Sequence, residues 1–351
     1  MMSWFDANWQ HKALVTIDHT KVGSGGVTNF PVLVTEANVP TNFWSEVKAA
    51  GADIRCVALD DATEINFELV SIDTSGDKLE MWVLMSALSS SADTNNKFYL
   101  YWGNAGASAK AASWGQGVWT NYAGVWHMQA TAWSGTPGEV TDSSGAGVVG
   151  QAVGDATPAA AVIGTGLSAA AGGRITLPNV SPCIPGGANG FSMSFWVYST
   201  TASEWQGLLH FANSSHGYAI FHRYFSGGGF KYEFMMRNSL REWQINTPIL
   251  NNGWHMVTVV YDNGTVKMYR DTTLDQTITG VGAADPPGAI AGSIGGQTAG
   301  LIDEARFAKT ARPAAQVTTD YNSQSSPSTF YSMGAEQNVL ATANGNFFQL
   351  F

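Results

Sequence analysis

The sequence predicts an all-β protein made of two consecutive β-sandwich domains. Three observations carry this. Charged residues are only 13% of the 351 residues, while glycine numbers 39 and aromatics reach 12%. That composition suits strands joined by tight turns. Short apolar or alternating runs recur with turn residues between them. The chain is also longer than one hydrophobic core usually serves.

The first set of strands is read from KALVTI (12–17), FPVLVT (30–35), ADIRCVAL (52–59), INFELV (65–70), LEMWVLM (79–85) and KFYLYW (97–102). Their spacing fits a sandwich over residues 1–106. The stretch WGNAGASAKAASWGQG has no periodicity and is rich in small residues, so 107–117 is assigned as a linker. A second set follows: AGVWHM (123–128), GRITLP (173–178), FSMSFWVYS (191–199), GLLHFA (207–212), YAIFHRYF (218–225), KYEFMMR (231–237) and REWQIN (241–246). WHMVTVVYDNGTVKMYRD (254–271) reads as a hairpin, with Asn263-Gly264 supplying the positive backbone angles of a tight turn.

The segment LIDEARFAKTARPAAQVTTDYNSQ (301–324) poses a question. By alternation, Asp303 shares a face with Ala305 and Phe307, which puts a carboxylate on an apolar side. Pro313 then opens a helical turn, with Val317 and Tyr321 one turn apart. Residues 336–351 read as a C-terminal tail. Its end, NGNFFQLF, places Phe347, Phe348, Leu350 and Phe351 within five residues. Burying each is worth roughly 1.5–3 kcal/mol. The tail either folds back on its own domain or docks on another subunit, and docking is the expectation.

Four pieces, in order, resemble a laminin-G-like jelly roll of the concanavalin A-like lectin/glucanase superfamily over 118–335. They are GVWHM…VTDSSGAG (124–147), FSMSFWVYS, GWHMVTVVYDNGTVKMYRD and the 301–324 segment. Residues 8–106 resemble a domain of unknown function common in microbial surface proteins, through NWQHKALVTID, FPVLV, GADIRCVALDDATEINFEL and KFYLYWGNAGA. The first resemblance implies that the second sandwich is a jelly roll. It also implies a structural calcium ion held in part by Asp142 and Asp303, with carbonyls of the glycine-rich loop. The alternative for Asp303 is that it accepts main-chain N–H bonds or pairs with Arg306 or Arg312.

The chemistry of an enzyme is not evident. The glucanase branch carries Glu-x-Asp-x-x-Glu on one strand, and no such triplet occurs here. Nor is there a G-x-S-x-G, an H-E-x-x-H or a phosphate-binding loop. His127 and His255 each follow a Trp inside a strand-like run and are read as satisfied buried histidines. Cys56 and Cys183 are far apart and read as small buried hydrophobes.

The formal net charge of -10 argues against nucleic acid and anionic lipid as partners. No stretch is long and apolar enough for membrane insertion, and the opening MMSWFDANWQ lacks the pattern of a secretory leader. The expected role is therefore a non-enzymatic structural or recognition protein. It is placed on the surface of a particle such as a phage virion (tail, fibre or head decoration), as a homo-oligomer or bound to other virion proteins. A microbial envelope adhesin or carbohydrate-binding module is the second reading, and a polysaccharide-degrading enzyme the third. Jelly rolls of this kind bind sugars, proteins or nothing through variable loops. For a cell-surface glycan, Trp133, Trp205 and Trp243 are the candidate stacking platforms, with core or interface positions as their alternative.

Overall fold

The computed structural model describes residues 4–169, 172–183, 190–199, 206–212, 217–225, 229–237, 242–248, 253–282, 290–296 and 300–339. For 206, 221–225, 229, 230, 237 and 242–248 it describes the main chain alone. The chain forms two compact units, Met1–Val118 with Thr318–Phe351, and Trp119–Val317. Among the described residues, no helix is long and apolar enough to cross a membrane.

The first unit holds two sheets. One runs in the order Tyr331–Met333, His11–Ile17, Lys97–Trp102, Arg55–Val57 and Glu64–Ile65, and Gln337–Asn338 also pairs with His11–Ile17. The other runs Val27–Thr35, Lys78–Leu88, Phe67–Asp73. Period-two alternation places Ala13, Val15 and Ile17 fully in the interior. Lys12 points the other way and is also buried, with its Nζ 2.9 Å from each Asp61 oxygen. The Tyr101 hydroxyl donates to the same carboxylate at 2.6 Å.

Two boundaries differ from the sequence reading. Within 107–117, residues Ala112–Gln116 form a short helix lying on the strand Phe67–Asp73. The small side chains that made this stretch look like a linker allow close approach: Asn66 Nδ2 donates to the Trp114 carbonyl at 2.9 Å. Residues after 317, assigned from the sequence to the jelly roll and a tail, belong to the first unit. The single turn expected after Pro313 is a twelve-residue helix, Ala314–Ser325. From it, Thr319 Oγ1 accepts the Gly23 N–H at 2.9 Å and Ser323 Oγ accepts that of Leu33 at 3.3 Å. Ile17 then pairs with Tyr331, and His11 with Asn338. The assembly candidates Phe347, Phe348, Leu350 and Phe351 lie outside the described residues.

The second unit is the jelly roll. An eight-stranded sheet runs Ala156–Ala160, Thr165–Ala169, Gly300–Ala308, Phe191–Ser199, Trp254–Asp262, Thr265–Arg270 and Thr273–Thr279, with Tyr122–Trp126 also paired to Gly300–Ala308. A seven-stranded sheet runs Glu242–Pro248, Gly229–Arg237, Gly217–Phe225, Gln206–Ala212, Gly292–Gly295, Arg174–Leu177 and Gln151–Val153. Inward residues of both sheets form one apolar core, including Phe191, Phe195 and Val259 from the first and Leu209, Phe211 and Phe234 from the second. Phe191 stacks on Tyr261 and Phe307 with ring centroids 5.3 and 5.4 Å away. The predicted hairpin is present, with Asn263 at φ +40° and Gly264 at φ +86°.

Candidate functional site

Trp133 leads into a cleft of about 440 Å³ in the second unit. One wall is the loop Trp133, Ser134 and Gly135. The other is the strand Gln151–Val153 with Gly154 and Ala156 beyond it. Trp133 is half-buried, with part of its ring packed on the core cluster. The turn at Gly154 needs glycine: its φ is +63°, and a Cβ there would stand 2.9 Å from the Gly172 carbonyl oxygen.

Glu139 fixes the geometry of this cleft. Its Oε2 accepts the Ser134 N–H at 2.7 Å and the Ser134 hydroxyl at 3.1 Å. Its Oε1 accepts the N–H groups of Gly135 and Ala152, both at 3.0 Å. One carboxylate therefore ties the tryptophan loop to the facing strand. Burial raises the Glu139 pKa, but these N–H and hydroxyl donors outweigh it and hold the carboxyl below its ordinary value. Gln151 Nε2 donates to the Gly135 carbonyl, a second tie across the cleft. An indole beside neutral hydroxyl, amide and main-chain groups is an arrangement that can stack and hydrogen-bond a sugar ring.

Of the other two aromatic candidates, Trp205 lies outside the described residues. Trp243 sits on the strand Glu242–Pro248 opposite Met236, and its side chain is outside the description. Trp133 was a candidate from the sequence as a loop aromatic and lies half-buried in the structure, whereas Glu139 carried no motif. Its role arises from four contacts, three to its own loop and one to a strand thirteen residues on.

The two residues expected to hold calcium, Asp142 and Asp303, both accept main-chain N–H bonds. Asp142 Oδ1 accepts the N–H groups of Val125 and Ser144 at 3.0 and 2.9 Å, and its Oδ2 that of Val148 at 3.0 Å. It thereby pins the glycine-rich loop to the strand Tyr122–Trp126. Asp303 is fully buried; its Oδ2 accepts the Ile163 N–H at 2.9 Å and its Oδ1 the Glu304 N–H at 2.8 Å. N–H donors are aimed at all four oxygens, which matches the hydrogen-bonded alternative for Asp303.

They also explain the odd pattern around Asp303. The pairing of Gly300–Ala308 with Phe191–Ser199 shifts register between Ser194 and Trp196, and Glu304 has φ +50°. This is a β-bulge, which inserts one extra residue and frees its N–H from the ladder. Asp303 accepts that N–H. The bulge also breaks the alternation, so Ile302, Ala305 and Phe307 all join the core, which a regular strand cannot do.

The bulge turns Glu304 into a buried ion-pair centre. Its Oε1 lies 2.7 Å from His127 Nδ1, and its Oε2 accepts from Arg306 Nη2 at 2.5 Å and Nε at 3.2 Å. The Arg306 guanidinium stands 5.0 Å over the Trp119 ring. Burial raises the Glu304 pKa, yet the charges of His127 and Arg306 hold it below its ordinary value. Glu304 is 1% exposed and His127 5%, so this cluster stabilises the fold and does not reach a substrate. His255 is likewise satisfied, by Asp271 at 2.8 Å. Cys56 and Cys183 are buried, unpaired thiols.

In the first unit, Asp18, His19 and Asp93 bring ligand atoms within 4.8 Å of one another. Hydrogen bonds account for that cluster: His19 Nδ1 lies 2.7 Å from Asp93 Oδ1, and Asp18 Oδ1 accepts the Thr20 N–H at 2.8 Å.

No curated protein matches the chain. Among solved structures, it is similar to the binding domain of botulinum neurotoxin DC in complex with SialylT, at 13% identity and TM-score 0.48, covering 58% of this chain and 52% of that one. It is similar to the binding domain of Paraclostridial Mosquitocidal Protein 1, at 11% identity and TM-score 0.47, covering 58% and 52%. It is also similar to domain 4 of a GH43 extracellular arabinanase from Geobacillus stearothermophilus in complex with arabinotriose, at 20% identity and TM-score 0.42, covering 52% and 91%. The chain thus spans about half the length of the toxin binding domains it matches. The Trp133 cleft precedes the segment matched by a family model but belongs to the same compact unit. That segment, residues 169–318, matches the model of a concanavalin A-like lectin/glucanases superfamily domain.

Proposed function

We propose that the jelly roll is a non-enzymatic recognition module that takes a neutral saccharide in the Trp133 cleft. The observation that carries this is the half-buried Trp133 ring beside a cleft of about 440 Å³ whose two walls are tied together by Glu139. The lining residues carry no charge, so the ligand chemistry that fits is a sugar ring with its hydroxyls. A fixed aromatic face and fixed polar groups also reduce the ordering cost of binding. The carboxylates of this unit near the bulge and the loops are already engaged by main-chain N–H groups or ion pairs. That supports binding without turnover.

The wider setting we propose is the surface of a particle, as a phage tail, fibre or head-decoration protein. A sandwich resembling a surface-protein domain, paired with a jelly roll, supports this reading. The net charge of -10 disfavours nucleic acid as the partner. Mass spectrometry of purified virions against host envelope fractions tests the setting. Retention on an array of neutral microbial oligosaccharides tests the binding. Wild-type protein is expected to be retained and a Trp133→Ala variant of equal melting temperature to be lost. Equal retention of the two, or retention of neither, would contradict the reading.

A further inference from the structure

Lys12, in the first unit, is a buried lysine that touches a carboxylate. It lies on the strand His11–Ile17 and is 1% exposed. Its Nζ stands 2.9 Å from both oxygens of Asp61, itself 8% exposed. Asp61 follows the strand Arg55–Val57. Its N–H donates to the Ala58 carbonyl at 3.0 Å, and its φ is +52°, a left-handed conformation that few side chains tolerate. Across the sheet Lys12 pairs with Tyr101, and Tyr101 pairs with Arg55. Directly opposed residues share a face, so the lysine and the phenol stand side by side. Tyr99, two residues before Tyr101, lies on that face too.

Three rings close around the amine, with centroids 4.2 Å (Tyr99), 4.8 Å (Trp4) and 5.4 Å (Tyr101) from Nζ. The segment before the first strand covers this face. Its Trp4 indole donates to the Trp9 carbonyl at 2.7 Å, and the Phe5 ring packs 5.8 Å from that of Tyr101. The Tyr101 hydroxyl accepts the Phe5 N–H at 3.2 Å, so its single proton is directed to Asp61 Oδ1, 2.6 Å away. Burial, and then the hydrogen bond to Asp61, push the Tyr101 pKa up, which keeps that proton on the phenol. An amine, a carboxyl and a proton donor are thus packed together inside an aromatic shell.

We propose that Lys12 and Asp61 condense into an amide bond between Nζ and Cγ, with Tyr101 passing the proton. A proton first moves from the ammonium to the carboxylate, leaving a neutral amine and acid. The Nζ lone pair attacks Cγ. The Cγ–Oδ1 bond breaks as Oδ1 takes the Tyr101 proton and leaves as water, Oδ2 becomes the amide carbonyl, and the proton shed by Nζ restores the phenol. One C–N bond forms, one C–O bond breaks, and nothing is oxidised or reduced. Fixed proximity replaces a chance encounter between the two groups. The buried ion pair carries the desolvation cost of two charges, and the amide carries none, so burial favours the product. The bond ties the first strand to the turn after Arg55–Val57, across the strand Lys97–Trp102 that lies between them. Force on the N-terminal strand could then not peel it from the sheet.

The test is the intact mass of the full chain, unfolded in denaturant, by mass spectrometry. The wild type is expected to be lighter than its sequence by one water, and Lys12→Arg and Asp61→Ala each to show their full sequence mass. A tryptic digest of the wild type should lose the cut after Lys12 and yield a branched peptide joining the segments around residues 12 and 61. Tyr101→Phe should leave part of the protein at full mass; complete bond formation in that variant would overturn the role of the phenol. A wild type at its full sequence mass would overturn the proposal outright. So would a loss of water that persists in Lys12→Arg or maps to another pair of residues.

Discussion

The Glu139 carboxylate accepts the main-chain N–H of Ala152 at 3.0 Å while its other oxygen holds Ser134. That single side chain joins the two walls of the Trp133 cleft, and the cleft's shape depends on it. Replacing it by glutamine removes the charge behind four hydrogen bonds and leaves one acceptor oxygen. We expect Glu139→Gln to weaken neutral oligosaccharide binding about tenfold while leaving Trp133 itself in place, a change of about 1.4 kcal/mol. Titration calorimetry against the wild type checks this.

The same residue sets a pH dependence. The folded Glu139 carboxyl lies below its ordinary value of 4.5. A depressed folded pKa contributes stability that is fully present above the unfolded value and is lost as pH falls through the folded one. Saccharide affinity should therefore be flat from neutral pH down to the ordinary carboxyl range and fall below it. A fall already under way at neutral pH would point to another group.

At the bulge, Asp303→Ala leaves the buried N–H groups of Ile163 and Glu304 without acceptors. Each orphaned group costs about 1–3 kcal/mol, so a loss of about 2–6 kcal/mol is expected in urea unfolding. Main-chain donors meet all four oxygens of Asp142 and Asp303, so chelator should not move the melting midpoint. A midpoint that falls with chelator and returns with calcium would assign the ion to these two residues.

Glu304→Gln removes the carboxylate that accepts from the Arg306 Nη2 and Nε, a guanidinium only 3% exposed. Removing one partner of a buried pair costs about 3–5 kcal/mol. The wild-type protein should also lose stability as the pH drops below 4.5, the ordinary value beneath which Glu304 is held. A variant that unfolds at the wild-type urea concentration would show that the pair is dispensable.

The apolar end of the chain has its own test. Gln337 and Asn338 pair with the strand His11–Ile17, so truncation after Val339 spares the sheet. If Phe347, Phe348, Leu350 and Phe351 are an assembly address, the truncated protein keeps its melting temperature and loses its multimeric mass. Unchanged mass by light scattering would remove that role.

Much of the fold was legible because it is written locally. KFYLYW coincides with the strand Lys97–Trp102, and Asn263-Gly264 turns the hairpin as its backbone requirements demand. Trp133 was legible as a candidate because a loop tryptophan is conspicuous. What escaped depends on distant partners. The strand Gln151–Val153 has three residues flanked by glycine, too short for a period. The bulge at Glu304 leaves no mark in an alternating run, and regular alternation put Asp303 on the wrong face. The return of Tyr331 to pair with Ile17 spans over three hundred residues, and no local pattern encodes it. Glu139 is an ordinary surface-type residue in sequence; only the identity of its neighbours gives it a role.

The most direct measurement of the central claim is a map of amide and indole NMR shifts as a retained neutral oligosaccharide is titrated into the full chain. The account predicts shifts concentrated on the Trp133 indole and the amides of Ser134, Gly135, Ala152 and Gly154. Saturable binding that moves other residues and leaves Trp133 untouched would contradict it.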